Sequence, residues 1–164
     1  MIGRNGPADQ WKRPMAMTMN GSFDLPASRE VVWQKLNDPD VLKACIPGCQ
    51  SLERTSDNGF AAVAKLKIGP VSATFRGKVQ LSDIDPPNGY RIAGEGEGGI
   101  AGFAKGGAGV KLDAIQDGTR LTYDVEANVG GKLAQLGSRL INSVAKKLAD
   151  QFFAKFATAV KDQV

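Results

Sequence analysis

Between Phe60 and Val129 the chain alternates apolar and polar side chains with a period of two, interrupted only by short turns. Phe60, Ala62, Ala64, Leu66 and Ile68 alternate with Lys65 and Lys67, and Val71, Ala73, Phe75, Gly77, Val79 and Leu81 with Ser72, Thr74, Arg76, Lys78 and Gln80. Tyr90 and Ile92 flank Arg91, and Leu121, Tyr123, Val125, Ala127 and Val129 alternate with Thr122, Asp124, Glu126 and Asn128. This is the period of strands with one face wet and one covered. Turn sequences stand at Asn58-Gly59, Gly69-Pro70, Pro86 to Gly89, Gly98 to Gly102 and Asp117-Gly118. They are spaced so closely that only antiparallel hairpins fit between them. The pattern predicts a meander of six strands, with a seventh strand ahead of it in which Met17, Met19, Gly21, Phe23 and Leu25 share a face.

Helical signals sit on either side of the meander. Pro26 ends the first strand, Ser28 is a candidate N-cap, and Val31, Val32, Lys35 and Leu36 carry a short helix around Trp33, followed by a second from Asp40 to Ala44. At the other end, Leu133, Leu136, Leu140, Val144, Leu148, Phe152, Phe156 and Val160 recur at steps of three and four and predict one helix from Lys132 to Lys161. At 1.5 Å per residue it would be about 40 Å long. A helix of that length with one apolar stripe needs a surface to lie on, and the covered face of the sheet supplies it. The expectation is an α+β fold in which a seven-stranded curved antiparallel sheet wraps around a long C-terminal helix, with two short helices after strand 1. Residues 17–164 form one domain in this reading, and residues 1–16, with Gly3, Gly6, Pro7 and Pro14, a flexible tail or a cloning remnant.

Composition narrows the chemistry. The chain has no histidine, which removes the usual general base at neutral pH and the commonest metal ligand. Cys45 and Cys49 flank Ile-Pro-Gly; two thiols without secretory features read as structural cysteines in a reducing compartment, the cytoplasm by default. No stretch approaches the roughly 20 apolar residues that span a bilayer. Gly94 to Gly99 fits G-x-G-x-x-G by letter, but no helix follows it and no βαβ unit surrounds it. Glu95 and Glu97 share a strand face that the alternation assigns to solvent, so neither they nor any other group is read as catalytic, and no metal site is expected.

The order strand, two short helices, six-strand meander, long helix resembles the helix-grip fold of START lipid-transfer domains, the major birch-pollen allergen and polyketide cyclases. Within that superfamily the wording is most similar to the CoxG family of carbon monoxide dehydrogenase subunits. The resemblance lies in Gly21-Ser-Phe-Asp-Leu-Pro-Ala, Val32-Trp33, Leu36-Asn37-Asp38-Pro39 and above all Leu42-Lys43-Ala44-Cys45-Ile46-Pro47-Gly48-Cys49, and it covers about Met17 to Val160. It implies a non-catalytic accessory protein that works with a molybdenum hydroxylase of the carbon monoxide dehydrogenase type and with the cytoplasmic membrane or its quinone pool. Members often carry a longer C-terminal tail with an apolar end, whereas this chain stops at Val164, so either the tail was removed or the implied tether is weaker here.

The glycines point to a pocket. Gly94, Gly96 and Gly98 on one strand and Ala104, Gly106 and Ala108 on the next fall at inward positions, leaving the middle of the covered face nearly bare. A dry void of about 300 Å³ there would cost on the order of 7 kcal/mol. Either the helix closes onto the glycines or a ligand fills the space. The candidate lining is Leu66, Phe75, Val79, Ile92, Phe103, Leu136, Leu140 and Val144. Alternate turns of a meander share an end, and one end collects apolar or glycine-rich turns; Ile100 and Phe103, with Lys132 beside them, are the expected mouth or membrane contact. The net charge of +4 and the lysines and arginine of the last helix suit an anionic lipid surface, and without interleaved aromatics they do not suit nucleic acid.

Together these features lead to an accessory or carrier protein holding a lipid or isoprenoid quinone in an internal pocket and linking a molybdenum hydroxylase to the inner face of the cytoplasmic membrane. Two rivals remain: a protein-docking adaptor with a filled core, and a cyclase- or hydrolase-like enzyme.

Overall fold

The computed structural model describes residues 15–161. Seven strands, β1 (Met15–Leu25), β2 (Cys49–Ser56), β3 (Gly59–Ile68), β4 (Val71–Asp85), β5 (Gly89–Glu97), β6 (Phe103–Ile115) and β7 (Gly118–Gly130), form one antiparallel sheet in the order β1-β7-β6-β5-β4-β3-β2. Consecutive strands from β2 to β7 pair as hairpins, and β1 closes onto β7 from Met15 opposite Val129 to Leu25 opposite Thr119. The expected sheet is therefore present. Strand β1 starts two residues earlier than the alternation suggests, so Met15 and Ala16 belong to the sheet, and the rest of the presumed tail lies outside the described residues.

Two short helices, α1 (Arg29–Leu36) and α2 (Pro39–Cys45), fill the gap between β1 and β2. Ser28 Oγ accepts from Val31 N–H at 3.3 Å and Asp38 Oδ1 from Asp40 N–H at 3.0 Å, so each helix starts on a side-chain cap. The Pro47-Gly48 turn then brings the chain onto β3, where Lys65 N–H donates to Gly48 O at 2.9 Å. Gly48 takes a φ of +72°, and a side chain there would run into the Lys65 carbonyl, so only glycine fits.

The C-terminal helix is broken, which the stripe of apolar residues does not foretell. A single turn, α3 (Lys132–Gln135), ends before Gly137, whose φ of +88° reverses the backbone, and α4 (Ser138–Lys161) starts afresh. The row that α4 turns to the sheet also differs from the expected one. Ile141, Ala145 and Ala149 face the core together with Phe152, Phe153, Phe156 and Val160, while Leu140, Val144 and Leu148 lie on the flank. The two alanines let the helix come close to β1, so α4 packs on the β1 side of the sheet and against α1 and α2, not along its midline.

Three apolar clusters result. One joins Leu25, Val32, Leu36, Leu112 and Leu121 to Phe156 and Val160; here the Thr119 hydroxyl, fully buried, donates to Ala27 O at 2.7 Å. A second, around Met17, Val129, Leu133 and Ile141, closes the end of the sheet where α3 begins. The third, Phe60, Leu81 and Tyr90, lies beneath α1 and α2, with Trp33, Leu42 and Leu52 against it. Between this third cluster and the aromatic side chains of α4 the packing is incomplete.

Candidate functional site: an apolar cavity under the second helix

A cavity of about 270 Å³ lies between the inner face of β3, β4 and β5, the edge strand β2, helix α2 and the aromatic pair Phe152 and Phe153 of α4. Its floor is poor in side chains. Ala62 and Gly77, paired across β3 and β4, form it, and the row of small residues runs on beyond the cavity as Gly96 of β5 and Ala104 of β6. A Cβ on Gly77 would find nothing closer than the Glu95 carbonyl at 3.4 Å, and one on Gly96 only backbone atoms at 3.7 and 4.0 Å. Val79, Leu81, Ile92 and Val110 form the sides, Leu36, Leu42 and Ile46 the roof, and Tyr90 brings in the one polar side chain. The space is partly open, so its apolar lining stays in contact with water unless a ligand covers it, and covering it is worth about 25 cal/mol per Å².

A stacked aromatic wall bounds the space on the β1 side. Phe153 lies 4.4 Å from Phe23 and 5.8 Å from Tyr123 between ring centroids, both nearly parallel, and meets Phe152 edge-on at 4.9 Å. Phe152 in turn stacks on the fully buried Phe156 at 5.6 Å.

The expected lining divides. Val79 and Ile92 line the cavity. Leu66 and Val144 instead flank an open groove between β3 and α4, whose floor they form with Leu148 and Pro47 and whose rim carries Lys65, Lys67 and Lys147. Phe75 and Leu136 pack into the second cluster, and Leu140 lies over Gly69. Phe103 rests on Gly130, 37% exposed.

These six miss the cavity for a physical reason: neighbouring side chains lean across part of the bare strip. A Cβ on Gly94 would meet Val79 Cγ1 at 2.9 Å and one on Gly98 would strike the Phe75 ring, so of the inward glycines only Gly77 lines the void. Leu42, Ile46, Leu52, Phe60 and Tyr90, all cavity residues, are not among the sequence candidates.

The expected mouth is not an opening into this space. Ile100 is 84% exposed at the tip of the Gly98–Gly102 turn, but directly beneath it Ala101, Leu133 and Val129 are buried and Gly131 abuts Gly102. That end is sealed by the second cluster, and Ile100, Phe103 and Lys132 stand outside the seal.

The other candidate groups have inert surroundings. Cys45 is buried and Cys49 half-buried, both free thiols; burial pushes each up from its ordinary value, against a weaker pull from Lys155 and Lys43 respectively. Cys49 Sγ donates to Ser51 O at 3.3 Å. Neither is poised as a thiolate nucleophile. Glu95 and Glu97 point to solvent on the outer face. Among the described residues no three Cys, Asp or Glu side chains gather into a metal site, and no helix is long and apolar enough to cross a membrane.

Residues 21–161 match the model of CoxG, a family described as a subunit of carbon monoxide dehydrogenase. Among solved structures, a conserved protein from Geobacillus kaustophilus superposes with a TM-score of 0.84 at 37% identity, over 89% of this chain and 96% of that one. A START superfamily protein from Mycobacterium smegmatis superposes at 0.66 with 13% identity, over 90% and 99%. The Zhui aromatase/cyclase from a Streptomyces species does so at 0.63 with 11% identity, over 90% and 94%. The last two share the fold alone. No curated protein matches the sequence.

Proposed function

The chain belongs to the CoxG family of carbon monoxide dehydrogenase subunits, and on that premise we propose that it is a non-catalytic accessory protein that carries an apolar ligand in the cavity beneath α2. The observation behind this reading is the cavity itself: about 270 Å³ of partly open space walled by apolar side chains, whose surface a filled core would have covered. A dry cavity of about 150 Å³ takes up benzene, so this one suits roughly two fused rings. Burying about 200 Å² of apolar ligand surface would contribute about 5 kcal/mol. A quinone ring or the head of a similar lipid is of that size.

The expected result of native mass spectrometry on freshly purified protein is a stoichiometric apolar adduct that organic extraction releases. An apo mass that added quinones fail to shift would sink the carrier reading and put the docking adaptor with a filled core ahead. The enzyme rival finds one titratable group in the cavity wall, the phenol of Tyr90, with no carboxylate, amine or thiol beside it to complete an acid–base or nucleophilic pair.

The partner of this reading is a molybdenum hydroxylase of the carbon monoxide dehydrogenase type, and the setting is the inner face of the cytoplasmic membrane. Ile100 supports a lipid contact: it is an exposed large apolar side chain at a loop tip, with the exposed Lys132 nearby in the same end of the fold. Replacing Ile100 with Asp removes about 2 kcal/mol of apolar transfer, so association with anionic vesicles should weaken at least tenfold in a flotation assay, at unchanged melting temperature. Equal flotation of the two proteins would show that this tip does not touch lipid.

A further inference from the structure

The wall of the cavity contains one side chain that its packing role does not explain. Tyr90 is 7% exposed, its ring is held by Trp33 at 5.3 Å between centroids, and every other residue lining the space is apolar or glycine. Among the described residues no group forms a hydrogen bond with its hydroxyl; the same holds for Tyr123, 8% exposed, which lies outside the cavity lining, whereas the fully buried Thr119 hydroxyl has found a backbone carbonyl. The hydroxyl is also not wholly occluded, since no buried side-chain oxygen without a partner is left. Its side chain lies on the inner face of β5, where the open space is the cavity.

Beneath an apolar occupant an unmatched hydroxyl costs about 1–3 kcal/mol, which a phenylalanine of the same volume would avoid. Without a ligand, water entering the partly open space serves this hydroxyl, and an apolar occupant that displaces the water must supply an acceptor in its place. Burial pushes the phenol up from its ordinary value, so it remains a proton donor across the physiological range.

We infer that Tyr90 selects the occupant of the cavity: an apolar molecule of about two rings that presents a carbonyl oxygen to the tyrosine hydroxyl. A carbonyl fits better than a ligand alcohol because it accepts the tyrosine proton and leaves no donor over; an alcohol would bring a second proton into a wall without another acceptor. The inference rests on the carrier reading above and adds the chemical class of the ligand head and the residue that reads it.

The test uses two probes of the same shape, α-tetralone with the carbonyl and tetralin without it, titrated calorimetrically into the wild-type protein and into Tyr90→Phe. The expected result is that Tyr90→Phe melts no lower than wild type, binds tetralin as well or better, and binds α-tetralone about tenfold more weakly, one hydrogen bond's worth. In infrared difference spectra the carbonyl band of α-tetralone should lie lower in the wild-type protein than in an apolar solvent, a readout that needs no variant. An unchanged ratio of the two affinities on substitution, or an unshifted band, overturns the role of Tyr90 while leaving the carrier reading intact. Failure of both probes to bind either protein overturns the carrier reading, and this inference with it.

Discussion

Replacing Gly77 with leucine is expected to stabilise the protein and at the same time to abolish its uptake of apolar ligands. Gly77 stands mid-strand in β4, between Ala62 and Gly96, under the emptiest part of the cavity. A Cβ there makes ordinary contacts with the Glu95 carbonyl at 3.4 Å and the Gly96 Cα at 4.0 Å and clashes with nothing. The leucine would project into the void. Two effects then act in the same direction: the unfolded chain loses conformational freedom, worth about 0.5–1 kcal/mol, and a buried apolar side chain adds about 1.5–3 kcal/mol. A net gain of about 2 kcal/mol corresponds to a melting temperature roughly 4–8 °C higher for a chain of this size. The same side chain occupies space a ligand needs, and tetralin affinity should fall at least tenfold. A variant that melts lower, or that binds tetralin like wild type, would mean that the space over Gly77 is not an available cavity. Selection for stability alone would have filled this position, and a bare strand here is therefore evidence for use.

Much of this fold is legible in the sequence, and what is not has identifiable causes. The strands follow from alternation alone, since a half-covered antiparallel sheet imposes its period wherever it occurs. Asn58-Gly59 and Asp117-Gly118 mark their hairpins, and Ser28 caps its helix. The break at Gly137 is also written there, as a glycine followed by the polar Ser138, but apolar steps of three and four pass over a one-residue reversal without a visible fault. The inward glycines of β5 and β6 mark a bare strip. Its exact place is out of reach of the sequence because it depends on two long-range facts: which row of α4 faces the sheet, and which neighbours lean over the gaps. Ala145 and Ala149, four apart, are the local mark of close helix packing, yet Leu140, Val144 and Leu148 make a more hydrophobic row beside them. Hydrophobicity alone points to the wrong one. The roof of the cavity, Leu42 and Ile46, and its Tyr90 become a site only when α2 folds back over the edge of the sheet.

Phe156→Ala should be the costliest single truncation in the domain. Phe156 is 0% exposed and joins α4 to the first cluster, where Leu25, Val32, Leu36, Leu112 and Leu121 meet, and it stacks on Phe152 at 5.6 Å and meets Phe153 edge-on at 6.5 Å. Truncating a buried phenylalanine typically costs about 3–5 kcal/mol, which is a large part of an ordinary domain's 5–15 kcal/mol. The melting temperature should fall by roughly 10 °C or more. Phe152→Ala supplies the comparison, because Phe152 is half-buried and already faces the void. Its removal enlarges an existing cavity instead of opening a new one, and fewer close contacts are lost. The expected order, with Phe156→Ala well below Phe152→Ala in thermal melts, separates a liganded or empty pocket from a uniformly packed interior. Equal losses at the two positions would mean that Phe152 is as tightly packed as Phe156, and the docking adaptor with a filled core would then be the better account of the fold.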